Sequence, residues 1–381
     1  MPQIARILAV LALIALLAAP AGAQELKPLP ELSPGFDLAG YATQTETVKR
    51  DYASLPNIAF EVSLPKTWVE RAALGQDFGE LTRFDGPAAG VDPRPYFSFK
   101  RLQVNRENSA KNEIIAYMLK SGYVLRGLKE IDDRNVEALY VLQDTMGASY
   151  GVRAMARIQG PSLLLAEYAL PLEQWNDLHD QQTFATRSFK FTKDSDEPIE
   201  KRIERKYYKS LSFFYPASWI FEGETAIADN QVVLTLANPS DLGNKGGEIR
   251  LGLYSVRSLT ALDADPKAYP LDVPALLKDV TARKKAAGFD VGEPIEHRTP
   301  DLGIPTKFAT MEIYGLRERK TEYDTLEKGP ITQELWLVVF QTDEVTPRTI
   351  ILELTTPART QDIYLWSVNT RAFEIILKSI Q

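Results

Sequence analysis

One segment of this chain occurs twice, and that constrains the fold more than any other feature. Phe60-Glu61-Val62-Ser63-Leu64-Pro65-Lys66-Thr67-Trp68 returns 151 positions later as Leu211-Ser212-Phe213-Phe214-Tyr215-Pro216-Ala217-Ser218-Trp219. Each copy is a strand-like apolar run followed by Pro-x-x-Trp. Proline has no N–H to give to a sheet ladder, so it closes the strand, and the Trp folds back over the edge of a core. A repeated supersecondary unit limits the architecture more tightly than any single predicted element.

The segments after the two copies also match. An apolar strand comes next, Tyr96-Phe97-Ser98-Phe99-Lys100-Arg101-Leu102 in one and Glu248-Ile249-Arg250-Leu251-Gly252-Leu253-Tyr254 in the other. Helix-period segments then run over 113–121 and 275–287, with apolar stripes Ile114, Ile115, Met118, Leu119 and Leu276, Leu277, Val280. Gly122-Tyr123 and Gly288-Phe289 come directly after them, and a glycine just past the last turn is the expected helix stop. Further strands end in Glu167-Tyr168-Ala169-Leu170-Pro171 and Glu353-Leu354-Thr355-Thr356-Pro357, and amphipathic helices over 172–187 and 360–379 close each copy. The chain thus reads as α+β, two tandem αβα-type units, each an antiparallel sheet packed with helices. Residues 53–192 and 207–381 are the two units. Residues 24–52 read as an extended proline-rich lead-in and 193–206 as a charged linker.

These motifs resemble the PsbP-like superfamily. The resemblance rests on the short strand ending in Tyr/Leu-Pro-x-x-Trp, the early helix closing in Gly-aromatic, and a terminal helix closing in Phe373-Glu374-Ile375-Ile376-Leu377-Lys378-Ser379-Ile380, with a looser version at 184–189. It implies an antiparallel sheet between helical layers in each unit. The superfamily includes extrinsic photosystem proteins, a Ran-binding nuclear import factor and exported bacterial proteins. Its motifs are packing motifs, so the resemblance brings no catalytic residue with it.

The N-terminus places Arg6 before an apolar run over 7–19, then Pro20 and Ala21-Gly22-Ala23. This order predicts a secretory signal peptide, residues 1–23, cut between Ala23 and Gln24. Thirteen apolar residues fall short of the roughly 20 that span a bilayer. Export to the periplasm of a Gram-negative bacterium is the resulting expectation, with no transmembrane anchor after cleavage. The chain has no cysteine, which removes disulfides, thiolate nucleophiles and Cys-ligated metals together. A formal charge of −7 argues against a nucleic-acid partner, since phosphate binding needs a concentrated basic face.

Candidate chemistry is sparse. Gly147-Ala148-Ser149-Tyr150-Gly151 matches G-x-S-x-G, the nucleophile elbow of α/β-hydrolases, which requires a strand-to-helix turn around Ser149. The residues after it alternate with period two, so a hairpin turn is favoured. A general base would have to be His179, read here as solvated on a polar helix face, or His297, in a proline-bounded loop of the other unit. Two histidines give no zinc spacing. The acidic run Asp194, Asp196, Glu197 lacks the Gly and distal Glu of a calcium loop. Lys201, Arg202, Arg205, Lys206 and Lys209 read as a charged strand lead-in rather than a membrane patch, and Trp68, Trp219, Trp336 and Trp366 as core residues. No catalytic residue, cofactor or metal is assigned. The expected function is a non-catalytic exported binding or assembly protein whose partner is another envelope protein, with the groove between the units as binding surface. The alternatives are a serine hydrolase using Ser149 and a small-ligand or lipid carrier.

Overall fold

The computed structural model describes residues 27–71, 79–87, 93–195, 197–207, 211–239, 245–255, 259, 273–318, 329–344 and 347–381. The predicted signal segment and cleavage site at Ala23 and Gln24 lie outside the described residues, as do Asp196 and Lys209.

After an extended stretch comes α1 (Leu38–Thr43), then β1 (Thr45–Tyr52), β2 (Leu55–Pro65), β3 (Val69–Arg71), β4 (Glu80–Asp85) and β5 (Tyr96–Gln103). Helix α2 (Ala110–Ser121) precedes β6 (Val124–Asp132), β7 (Asn135–Gln143), β8 (Ser149–Gln159) and β9 (Ser162–Pro171). Helix α3 (Trp175–Ser188) and the short β10 (Lys190–Phe191) end the first half. The second half opens with β11 (Arg202–Tyr207), β12 (Leu211–Pro216), β13 (Ile220–Ala228), β14 (Gln231–Pro239) and β15 (Lys245–Ser255). It continues through α4 (Val273–Ala286), β16 (Phe289–Arg298), β17 (Thr306–Glu318), β18 (Gln333–Thr342), β19 (Arg348–Pro357) and α5 (Ile363–Ser379).

Two seven-stranded sheets result, one ordered β3-β4-β5-β9-β8-β7-β6 and the other β13-β14-β15-β19-β18-β17-β16. Every pairing in both is antiparallel. The two orders are identical, element for element. The small sheets match too. β2 lies between β1 and β10, with Lys190 opposite Glu61, while β12 pairs with β11 and exchanges backbone hydrogen bonds with Gln381 through Ser212.

The repeated sequence motifs become repeated contacts. Trp68 N–H and Trp219 N–H each bond the carbonyl of the proline three residues earlier, at 3.0 Å in both copies. Ser188 Oγ accepts from Ser63 N–H at 2.8 Å, and Ser379 Oγ accepts from Phe214 N–H at 2.9 Å, pinning each terminal helix to its Pro-x-x-Trp strand. Gly122 ends α2 at φ +71°, a left-handed conformation that glycine adopts without the Cβ penalty other residues incur. Gly288 does the same after α4 at φ +92°.

Both faces of the first sheet are covered. Ile114 and Met118 of α2 pack on Val136, Ala138, Val152 and Ala154. On the opposite face Phe60, Val62 and Leu64 of β2 meet Phe97, Phe99 and Tyr168, closed by Ala185 and Phe189 at the end of α3. The second half buries Phe213, Trp219, Leu251, Trp336, Leu352 and Phe373 on the equivalent face.

Two boundaries differ from expectation, for one reason. Residues 45–52, expected in the lead-in, form β1, and 202–206, expected in the linker, form most of β11. Both flank the repeated strand, carry runs of charge (Lys49-Arg50-Asp51 and Glu204-Arg205-Lys206), and largely alternate exposed positions with half-buried ones. Polar sequence conceals an edge strand whose ladder supplies the stability. The rest of the lead-in is also fastened. Lys27 N–H bonds Arg126 O at the edge of β6, and Leu29 is buried. Residues 27–33 therefore form a strap across the first sheet.

Trp219 is 2% exposed at the heart of the second core, whereas Trp68 remains half-buried against Tyr168. Trp219→Ala is expected to destabilise the protein by about 3–5 kcal/mol, and Trp68→Ala by less, as read from denaturant midpoints. Equal midpoints for wild type and Trp219→Ala would place that side chain in a ligand cleft instead.

Candidate functional site

The residues singled out for hydrolysis do not converge. Gly147 takes φ +88° in a turn in which Asp144 Oδ1 accepts from Met146 N–H and Ala148 N–H, and Ser149 begins β8, paired with Gln143 across a hairpin. A strand, not a helix, continues from Ser149, so the elbow geometry is absent. His297 lies on β16, the edge of the other sheet. His179, expected in solvent, is half-buried. Its Nε2 lies 3.4 Å from Ser33 Oγ because the strap passes over α3. Among the described residues no group of three or more His, Cys, Asp or Glu is placed to hold a metal ion.

Several charges of the acidic and basic runs around the linker are paired. Asp194 pairs with Arg157, and Arg205 with Glu224 at 3.3 Å. Glu200 accepts from Glu107 N–H at 2.9 Å, from Ser218 N–H at 2.7 Å and from Ser218 Oγ–H at 3.0 Å, so one carboxylate joins both halves.

One buried charge lies where no sequence motif marks a site. Glu167 in β9 is fully buried and receives Lys100 Nζ at 2.5 Å, Ser98 Oγ–H at 3.1 Å and the Tyr140 hydroxyl. Burial opposes the charged Lys100 ammonium, but the Glu167 carboxylate outweighs it and holds the Lys100 pKa above its ordinary value. Burial, helped by Glu167, pushes the Tyr140 phenol well up. The second half repeats the device. Glu353, at the equivalent place in β19, accepts from Arg283 of α4 at 2.7 Å, and burial of Arg283 is likewise outweighed by that carboxylate. A signal was present in the sequence, since both copies carry a Glu four residues before the strand-closing proline. These acids are enclosed and paired, Glu167 tying β9 to β5 and β7 and Glu353 tying β19 to α4.

Open space lies instead along the seam between the halves. Helix α2 of the first half packs against α5 of the second. Beside them a cleft of about 750 Å³ is walled by Leu102, Val104, Leu163 and Tyr117 of the first half and Tyr364 of the second, with Glu113 and Lys120 at its polar side. Burial raises the Glu113 carboxyl pKa, against the opposing effect of an Asn108 Nδ2–H donor at 2.6 Å. The seam itself is polar. Arg106 Nη1 donates to the buried Asn238 at 2.7 Å, Arg371 Nη1 to Asp133 at 2.9 Å, and Arg202 lies 3.5 Å from Glu107. Two smaller cavities, about 310 and 240 Å³, adjoin around Trp336 and share Asp133, Arg298, Trp336 and Glu374. Trp336 and Trp366 both donate their indole N–H to Glu334, at 2.9 and 2.7 Å, and Arg298 stacks over Trp336. Trp219 and Trp336 are core residues, as the sequence predicts; Trp366 is half-buried and lines the seam.

No family model matches the chain, and no curated protein gives a significant match. Among solved structures it is similar to the cyanobacterial PsbP protein CyanoP of Synechocystis sp. PCC 6803. Identity is 10%, the match covers 43% of this chain and 99% of that one, and the TM-score is 0.31. It is also similar to a chain of the Tle4–Tli4 complex, at 8% identity over 89% of this chain and 99% of the other, with a TM-score of 0.19.

If the Glu167 centre is a clamp, Lys100→Met should cost about 3–5 kcal/mol by leaving a buried carboxylate uncompensated. Adding Glu167→Gln, whose amide oxygen still accepts from Tyr140, should recover part of the loss. A double-mutant cycle on unfolding free energies checks this, and strict additivity of the two changes would dismiss the clamp. The ion pair also has a pH signature. Because the folded Lys100 pKa lies above its unfolded value, the contribution is complete below about pH 10 and disappears as pH rises toward the folded value.

Proposed function

We propose that this chain is an exported protein of two tandem PsbP-like units that acts without catalysis, as a binding or assembly factor, and that the seam between the units is its working surface. The observation that carries the reading is the 750 Å³ cleft to which both halves contribute walls, Tyr117 and Leu163 from one and Tyr364 from the other. A cleft built from two units exists only when both are docked, as composite binding sites between domains commonly are. The family part of the reading is supported by the repeated strand–Pro-x-x-Trp motif, the Gly-aromatic helix stop and the serine that ties each terminal helix to that strand. Export is supported by the order of Arg6, the apolar run and Ala21-Gly22-Ala23.

A photo-cross-linking amino acid at Lys120, on the cleft rim, should trap a partner of constant size in the cell envelope, while the same group at the exposed Met146, on the far β7–β8 turn, should not. The mature protein recovered from that fraction should begin at Gln24 by N-terminal sequencing. Equal cross-linking at both positions would refute the seam. A fluorophosphonate that labels the wild type but not Ser149→Ala would replace the reading with hydrolysis, and a co-purifying lipid in native mass spectra would replace it with carriage.

A further inference from the structure

Each buried carboxylate among the described residues sits against a cation. Glu167 meets Lys100 at 2.5 Å, Glu137 meets Arg153 at 2.6 Å, Glu353 meets Arg283 at 2.7 Å, Asp85 meets Arg83 at 2.8 Å and Glu107 meets Arg202 at 3.5 Å. Glu113, in the wall of the 750 Å³ cleft, departs from this pattern. It is half-buried, and its one side-chain partner among the described residues is the amide of Asn108, which donates to Oε1 at 2.6 Å. The cations nearest to it along the chain are engaged elsewhere, Arg101 with Ser162, Arg106 with Asn238 and Lys111 with Glu130.

Among the described residues that line the cleft, Glu113 and Lys120 carry the charge. Both stand on α2, about 10 Å apart along the helix axis. Lys120 is exposed, and in physiological salt exposed charges are screened over about 8 Å. It therefore takes little from the attraction of Glu113 for a cation. Between the two, Tyr117 presents an aromatic wall that Tyr123 supports edge-on. Leu102 and Leu163, opposite each other in the sheet, make the apolar lining with Tyr364. Gln103 gives its Nε2–H to Val104 O at 3.3 Å, so its side-chain carbonyl is left as an acceptor at the rim, where Asn105 adds another.

We infer that the cleft receives an arginine side chain of the partner protein, with its guanidinium on Glu113 and its stem between Tyr117 and the Leu102–Leu163 wall. The inference rests on the binding reading above and names the partner group that the cleft selects. Arginine suits this lining better than lysine. Its guanidinium carries several N–H donors in one plane, stacks on aromatic faces and is more weakly hydrated than an ammonium. Glu113, Gln103 and Asn105 supply acceptors, and the two tyrosines supply the faces. Burial raises the Glu113 carboxyl pKa, and a cation beside it would favour the charged form again. Arginine in a desolvated pocket is a frequent hot spot of protein interfaces. An acid in the first turn of α2 also suits the helix dipole. That role alone predicts no preference for arginine, so the two are separable.

The test uses the full mature chain and a fluorescently labelled peptide, Gly-Leu-Arg-Leu-Gly, beside the same peptide with citrulline, which keeps the shape of arginine and removes its charge. Saturable anisotropy binding of the arginine peptide with Kd on the order of 100 μM is expected for so small a contact. Citrulline should weaken it about tenfold. Glu113→Gln keeps an oxygen for Asn108, so its denaturation midpoint should match the wild type while the two peptides bind alike. Ala116→Trp, which fills the cleft beside an intact Glu113, should abolish binding of both. The inference is overturned by no saturation up to about 1 mM, or by equal binding of the two peptides to the wild type. An arginine preference that survives Glu113→Gln, or binding that survives Ala116→Trp, overturns it as well. A partner trapped at Lys120 equally in the wild type and in Glu113→Gln would sink this inference alone and leave the binding reading in place.

Discussion

Strand β9 has no solvent side. All ten of its residues are buried, because β5 and β8 flank it in the sheet and chain covers both of its faces. A strand buried this way commits the fold to two covering layers. In the first half one layer is α2 and the other is α3 with β2. It also puts Glu167 in a place where a lone carboxylate is untenable, so Lys100, Ser98 and Tyr140 must close around it. β19 imposes the same demand, buried at seven of its ten positions with Glu353 held from α4. Helices, clamps and strand order all answer to one requirement, which is to keep the central strand dry.

That requirement acts most strongly at the middle of each sheet and fades toward β6 and β16, at the end of the order. The halves diverge there. β16 exposes most of its residues, and β6 likewise except around Gly127, where the strap covers it. The first half finishes its cover with residues that precede the repeat. The second half has only a charged linker before it, and Glu200 of that linker is engaged at Glu107 and Ser218. Its α5 face takes cover from the loop after β16, where Leu302 and Ile304 pack on the second core and Asp301 pairs with Lys378, and also from Asp133 of the β6–β7 turn.

This division explains what was legible in sequence. The repeated Pro-x-x-Trp, the apolar stripes and the glycine stops are dictated by local backbone chemistry, so the four long helices and the antiparallel α+β class could be read from the residues. β1 and β11 were hidden because an edge strand needs few apolar residues, and their charge runs Lys49-Arg50-Asp51 and Glu204-Arg205-Lys206 resemble a linker. The strap was hidden because a proline-rich stretch shows no periodicity. It is ordered by partners far away in sequence, such as Arg153 and Asp180. The Glu167 centre was half visible. Its repeat in Glu353 stood in the sequence, but the lysine and tyrosine that meet it come from β5 and β7, and only the register brings them together.

The seam obeys the same logic. Two units that each buried every face would have nothing to offer one another, and would be joined only by the linker. Here the contacts across the seam are hydrogen bonds and ion pairs, Arg106 to Asn238, Arg371 to Asp133, and Glu200 to both halves. Polar contacts of this kind fix orientation without requiring the seam to be filled. The apolar walls of Leu102, Leu163 and Tyr364 are left around open space.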